Sequence, residues 1–272
     1  SITAALALLD EPPFRFLTRA GQPVTAAAGR ARIATRLGFA LDGRIAPGDV
    51  DFDVEGELTD VTSETLVPGR PFAARSLTVR ANPGGIEIGG EGTLSGVRFR
   101  GTWRQDFGPG SAGRSRVEAG VELSQRFLDA FSILLPPGSL RGEGIADVVL
   151  DLARGQATRF SLVSGLERVT LAIPGLGWTK PATAKARFTA HGTLGRPAKI
   201  EEMTLDAPGL ALTGSVTLAE DGRLDRVDLP QIRVGGWFDG AAALLAGAPG
   251  EGVKLSVLGG RADLRRADFG GA

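Results

Sequence analysis

The sequence contains no cysteine, no tyrosine, one histidine and one methionine among its 272 residues. The missing cysteine removes disulfides, thiolate metal sites and cysteine nucleophiles together, and it suits an oxidising compartment. With histidine nearly absent and tyrosine absent, two common acid–base side chains are scarce or missing. Net charge is missing too, since Lys+Arg is 31 and Asp+Glu is 31. A dedicated nucleic-acid binder carries a basic excess, so no nucleic-acid partner is expected. Long hydrophobic runs are lacking. The longest are short, such as Ala241 to Ala246, whereas a membrane-spanning helix needs about 20 apolar residues. No basic segment precedes an apolar run near Ser1, so no signal peptide is expected. The chain reads as a segment of a longer protein, with any membrane anchor expected outside it.

What is present is glycine, at 40 residues, together with 16 prolines. That is a turn-rich composition, with glycine at roughly twice its usual share of ~7%. Between the turns, apolar and polar residues alternate with period 2. In Val50-Asp51-Phe52-Asp53-Val54-Glu55-Gly56-Glu57-Leu58 one parity is apolar or small and the other is entirely acidic. Successive side chains of a strand point to opposite faces, so this run has one greasy and one wet face. The pattern returns over 117–123, 184–194 and 210–218, and in shorter form over 77–79, 86–88, 97–103 and 232–234. Turn signals separate the runs: Asn82-Pro83-Gly84-Gly85, Ser95-Gly96, Ala207-Pro208-Gly209 and Glu220-Asp221-Gly222. Short connections predict sequential antiparallel pairing, a meander rather than a βαβ fold.

Three segments read as helices. Ser1 to Leu9 is Ala/Leu-rich and stops before Pro12-Pro13. Ser124 to Leu135 carries a capping serine and a stripe of Phe127, Leu128, Phe131, Leu134 and Leu135. Trp237 to Ala246 reads as the third. The order suggests repeating units of a short helix followed by strands, divided at 1–123, 124–236 and 237–272. The fold expected is mainly β: an extended, twisted antiparallel meander sheet curled into an apolar groove, with a few short helices.

Three short helices cannot cover so many strands. Either the sheet folds onto itself as a sandwich with a dry core, or it holds something apolar. In the second case the lining comes from the apolar parity. In the first half of the chain these residues are Val50, Phe52, Val54, Leu58, Val79, Ile86, Ile88, Leu94, Phe99, Trp103 and Val121. Further along they are Phe188, Leu205, Leu210, Leu212, Val216 and Leu218.

Chemical motifs are weak. Gly108-Pro109-Gly110-Ser111-Ala112-Gly113 spells the dinucleotide fingerprint, but that motif needs a helix after it and Arg116 to Leu123 alternates as a strand. Asp49, Asp51, Asp53, Glu55 and Glu57 line one strand face. Ligands spread along a flat strand converge poorly on a cation, and pairing with basic residues of adjacent strands is expected instead. His191 shares the charged parity of Lys185 and Arg187, so it reads as a solvated residue. No nucleophile elbow and no distinctive carboxylate pair stands out. No enzyme activity, cofactor or metal is expected. A carboxylate enzyme or carbohydrate binder is the remaining catalytic class. Trp103 lies on the apolar parity, and Trp178 and Trp237 lie beside turns.

A family resemblance enters at Val169 to Pro181, which contains Gly177-Trp178-Thr179-Lys180-Pro181. It continues through Leu205-Asp206-Ala207-Pro208-Gly209-Leu210 and Leu224-Asp225-Arg226-Val227-Asp228-Leu229, with Leu140-Arg141-Gly142-Glu143-Gly144 upstream. These stretches resemble the C-terminal half of the bacterial AsmA-like proteins, most closely over 124–240. The resemblance implies a bridge-like lipid carrier of repeating β-groove units, in the periplasm and anchored to the inner membrane by a segment outside this chain. It implies phospholipid or another acyl lipid as the partner. The alternative is a structural or envelope-assembly β protein with a dry core.

Overall fold

The computed structural model describes residues 1–11, 18, 23–38, 51–108, 110, 111, 113–133, 135, 136, 138–173, 176–195, 197–219, 224–245, 254–263 and 265. Over these residues the chain is mainly β, with one large antiparallel sheet of fourteen strands and two short helices. The first strands are β1 (Ala28–Gly38), β2 (Asp51–Ser63), β3 (Phe72–Asn82), β4 (Gly85–Leu94), β5 (Val97–Asp106) and β6 (Arg114–Leu123). After β7 (Leu140–Gly142) come β8 (Gly144–Ala153) and β9 (Thr158–Ser164), then β10 (Val169–Ile173) and β11 (Trp178–Lys180). The series ends with β12 (Arg187–Leu194), β13 (Lys199–Ala207), β14 (Leu210–Leu218), β15 (Leu224–Val234), β16 (Phe238–Leu245) and β17 (Lys254–Ala262). The large sheet runs in strict chain order from β1 to β17, while β7, β10 and β11 leave it to form a three-stranded sheet of their own. The helices are α1 (Ile2–Leu9) and α2 (Gln125–Ala130).

The turn chemistry explains the meander. The Asn82 carboxamide accepts from the Gly84 N–H at 2.8 Å between β3 and β4. Ser95 and Gly96 both take positive φ, 51° and 80°, between β4 and β5. Two consecutive left-handed residues make the tight hairpin turn whose twist suits antiparallel strands. The turn expected at Glu220-Asp221-Gly222 lies outside the described residues.

Two helix expectations need correction. Phe238–Leu245 is strand β16, paired with β15 on one side and β17 on the other. Its Ala/Leu content favours a helix locally, but Phe238, Ala242 and Leu244 lie opposite Val234, Leu229 and Val227 and extend the same apolar face. Two flanking strands supply backbone partners and burial, and these outweigh propensity differences of a few tenths of a kcal/mol per residue. Helix α2 keeps its serine cap, with Ser124 Oγ accepting from the Phe127 N–H at 3.4 Å, but it stops at Ala130 rather than Leu135. Ser132 turns left-handed with φ 57° and ends it. Leu134 lies outside the described residues, and Leu135 is exposed.

The chain forms two compact units, Ser1–Ala119 with Asp151–Gly155, and Gly120–Leu150 with Gln156–Ala272. In the first, α1 lies on one end of the apolar sheet face. Ile2 packs there with Val61, Ala74 and Leu77, and Leu6 adds to the cluster. The opposite face alternates in charge strand by strand. Strand β1 carries Arg30, Arg32 and Arg36, while β2 carries Asp51, Asp53, Glu55 and Glu57. Strand β3 returns to Arg75 and Arg80, β4 to Glu87 and Glu91, and β5 to Arg98, Arg100 and Arg104. The register sets Arg32 opposite Glu57, Arg36 opposite Asp53, Glu55 opposite Arg80, and Arg80 opposite Glu87. Arg104 Nε reaches Glu87 at 2.6 Å. Each exposed pair contributes only about 0.2–1 kcal/mol. Their joint effect is on register, because a slip of one residue would put every arginine on the apolar side.

In the second unit the apolar face has a fuller cover. Helix α2 and the β7–β10–β11 sheet place Leu128, Leu140, Val169 and Trp178 in one buried cluster with Leu205, Ala207, Leu210 and Val234 of the large sheet.

Candidate functional site

The residues with the clearest site potential are the apolar ones that the folded chain leaves partly uncovered. In the first unit, register fixes a common face. Val79 pairs with Ile88, Ile88 with Trp103, Leu58 with Leu77, and Leu94 with Val97. Phe52, Val54, Leu58, Val79, Ile86, Ile88, Leu94, Phe99 and Trp103 therefore lie on one side of consecutive strands, and all nine are half-buried. Only Leu58 and Ile88 pack against the α1 cluster. Val50 lies outside the described residues. Gly92 shapes the middle of this face: a Cβ there would meet the Ala73 carbonyl at 2.5 Å and Phe99 Cζ at 3.0 Å. Without it the Phe99 ring could not lie across β4, where it sits 5.7 Å from the Phe72 ring.

In the second unit the expected residues divide. Leu205 and Leu210 are buried under the small sheet and belong to a dry core. Phe188, Leu212 and Val216 are half-buried and pack against that core's margin, and Leu218 and Val121 are half-buried outside it.

The cover over Leu205 and Leu210 is held by residues whose structural work was not legible in the sequence. Trp178 Nε1 donates to the Pro208 carbonyl at 2.8 Å, and the indole lies against Gly209. Two residues on, Lys180 is fully buried. Its Nζ donates to the carbonyls of Leu166 (2.7 Å), Val169 (2.8 Å) and Pro181 (3.1 Å). An ammonium has three protons to give, and here three carbonyls take them. Burial holds this ammonium below the ordinary lysine value of 10.5. The carbonyls are presented by a contorted bend, with Leu166 at φ 51° and Arg168 at φ 61°. Gly142 lets β7 approach that bend, since a Cβ there would lie 2.3 Å from the Arg168 carbonyl. Lys180 is thus a latch between backbone segments. Its amine is sealed from solvent and spent on backbone carbonyls.

Several other ionisable groups among the described residues are held in pairs. Glu122 is buried at the start of α2, where it accepts from Ser124 Oγ at 2.5 Å and from Arg126 Nη1 at 3.2 Å. His191 is on the outer face, with Nε2 3.7 Å from Glu202 and its side chain 54% exposed. The acidic row of β2 faces the arginines of β1 and β3, and Asp49 lies outside the described residues. The glycine-rich stretch at 108–113 leads into strand β6, so it has no helix N-terminus to hold a pyrophosphate. No group of three or more His, Asp or Glu among the described residues could hold a metal ion. Among the described residues, one open concavity of about 320 Å³ is lined by Glu202, Ser215 and Asp228 together with Leu229, Ala242 and Leu258, and another of about 310 Å³ lies beside Arg32, Glu57 and Arg80. Among the described residues no helix is long and apolar enough to cross a membrane.

Compared with known proteins, the chain matches no family model, no curated protein and no solved structure.

Proposed function

We propose that the half-buried apolar face binds the acyl chains of phospholipid, and that the chain is a non-enzymatic segment of a lipid-transfer protein of the AsmA-like kind. The observation that carries this is the first unit's row of Phe52, Val54, Val79, Ile86, Phe99 and Trp103. These are large apolar side chains on one side of consecutive strands, none of them in the cluster that α1 buries. A contiguous apolar surface of that kind marks a binding site on a folded protein. An acyl chain makes no hydrogen bonds, so an apolar wall suffices, and each sheltered CH₂ contributes about 0.8 kcal/mol. A ten-residue strand such as β4 is roughly 33 Å long at ~3.3 Å per residue, enough for a lipid tail. In this reading the sheet curls into a groove around the lipid, and the protein works in the periplasm, anchored to the inner membrane through a segment outside this chain.

The dry-core reading, a structural or envelope-assembly protein, has its own support in the buried cluster beneath Trp178. Photocrosslinking separates the two. A benzophenone side chain at Val79 or Trp103 captures phospholipid if the face is a lipid wall, whereas one at Thr78 or Thr102 on the other parity does not. Absence of lipid adducts at Val79 and Trp103, or equal capture at all four positions, removes the lipid reading.

A further inference from the structure

We infer that the outer edge of β1 is a strand-addition site for an acidic, alternating segment of a partner polypeptide. Among the described residues β1 has a single strand neighbour, β2. From Arg32 to Gly38 every residue is exposed, including Ile33 at 45% and Leu37 at 61%. Within the sheet, basic strand β3 stands between acidic strands on both sides, with Arg80 opposite Glu55 of β2 and Glu87 of β4. Among the described residues the arginines of β1 meet acids on one side only: Arg30 pairs with Asp60, Arg32 lies opposite Glu57, and Arg36 opposite Asp53. Among the described residues, then, no acidic strand continues the alternation beyond β1. Such a strand would set carboxylates beside Arg32 and Arg36 and apolar residues beside Ile33 and Leu37, while its backbone filled the ladder.

The same chemistry argues against a second copy of this chain. Two β1 edges would face arginine with arginine. The far edge, β17, carries Lys254 and Arg261 and no acid. Basic residues on an edge deter self-pairing, so β1 repels its like while suiting an acidic partner.

The probe is a fluorescein-labelled peptide with the sequence of residues 51–58, Asp-Phe-Asp-Val-Glu-Gly-Glu-Leu, titrated against the intact chain by anisotropy. Its control carries lysine at the four acidic positions. The acidic peptide is expected to bind at least about tenfold more tightly than the control, and to weaken as salt is added. Arg36→Glu should lower its affinity about tenfold through the charge. Leu37→Ser, at an exposed position where the fold is insensitive, should lower it severalfold, and circular dichroism checks that both variants are folded. Equal binding of the two peptides, no saturable binding of the acidic one, or unchanged affinity in both folded variants overturns the proposal. So does self-association through this edge that excess acidic peptide fails to reverse.

Discussion

At the scale of single residues, Lys180 governs the most. Desolvation disfavours its charge, while three carbonyls need its protons. Replacing it by methionine removes the charge and a donor from each carbonyl, although Leu166 keeps the Val169 N–H at 3.4 Å and Pro181 keeps the Ala184 N–H at 3.1 Å. A buried acceptor that loses its donor costs about 1–3 kcal/mol, so Lys180→Met should lower stability by about that much in a urea titration. The pH dependence has a definite sign. Because the folded-state pKa is lowered, the unfolded chain holds this proton more tightly. The penalty is in full force below the folded pKa and is relieved as pH rises from there toward 10.5. The stability gap between the parent and Lys180→Met should therefore widen across that window and then level off. A gap that stays flat there and narrows only as pH rises above 10.5 would show that carbonyl bonding, not desolvation, governs the proton.

At the scale of elements, the small β7–β10–β11 sheet decides which part of the apolar face is sealed. Trp178 is its largest contribution to the shared core and its hydrogen-bonded tie to the β13–β14 turn. Truncating a buried tryptophan costs about 3–5 kcal/mol, so Trp178→Ala should lower the melting temperature and loosen this cover. A photocrosslinker at Leu210 should then gain lipid adducts that the parent lacks. Silence at Leu210 in a destabilised but folded Trp178→Ala would mean that the cover is not what excludes lipid there. Strand β16 shows the reach of neighbouring elements in another way. Its run of alanine and leucine leans to a helix by composition, and the partners on either side override that preference.

At the scale of the whole molecule, the same kind of substitution should do different things in the two units. Val79→Asp puts a charge on a half-buried wall where water can reach it, and should leave a folded protein with less co-purified phospholipid. Leu205→Asp puts the charge under Trp178, where an unpaired carboxylate costs several kcal/mol, and should collapse the melting transition. If Val79→Asp also unfolds the chain, the first unit's apolar face is a dry core.

The sequence by itself determined the sheet. Period-2 alternation assigns each side chain to a face, so Phe52, Val79, Ile88 and Trp103 fall on the apolar side by parity alone. Turn residues such as Asn82 and the Ser95-Gly96 pair fixed sequential pairing, and Ser1 and Ser124 fixed two helix starts. These are local properties, carried by dihedral preferences and by the geometry of adjacent residues. Only the tertiary structure decided what covers that face. Leu205 and Leu212 obey the same alternation, yet one lies in the sealed core and the other at its margin. The difference is made by Trp178 and Lys180, each anchored by backbone carbonyls that the chain brings in from other turns. The fate of residues 238–245 was likewise settled by β15 and β17. Burial depends on contacts between segments far apart in the chain, and a local pattern holds no record of them.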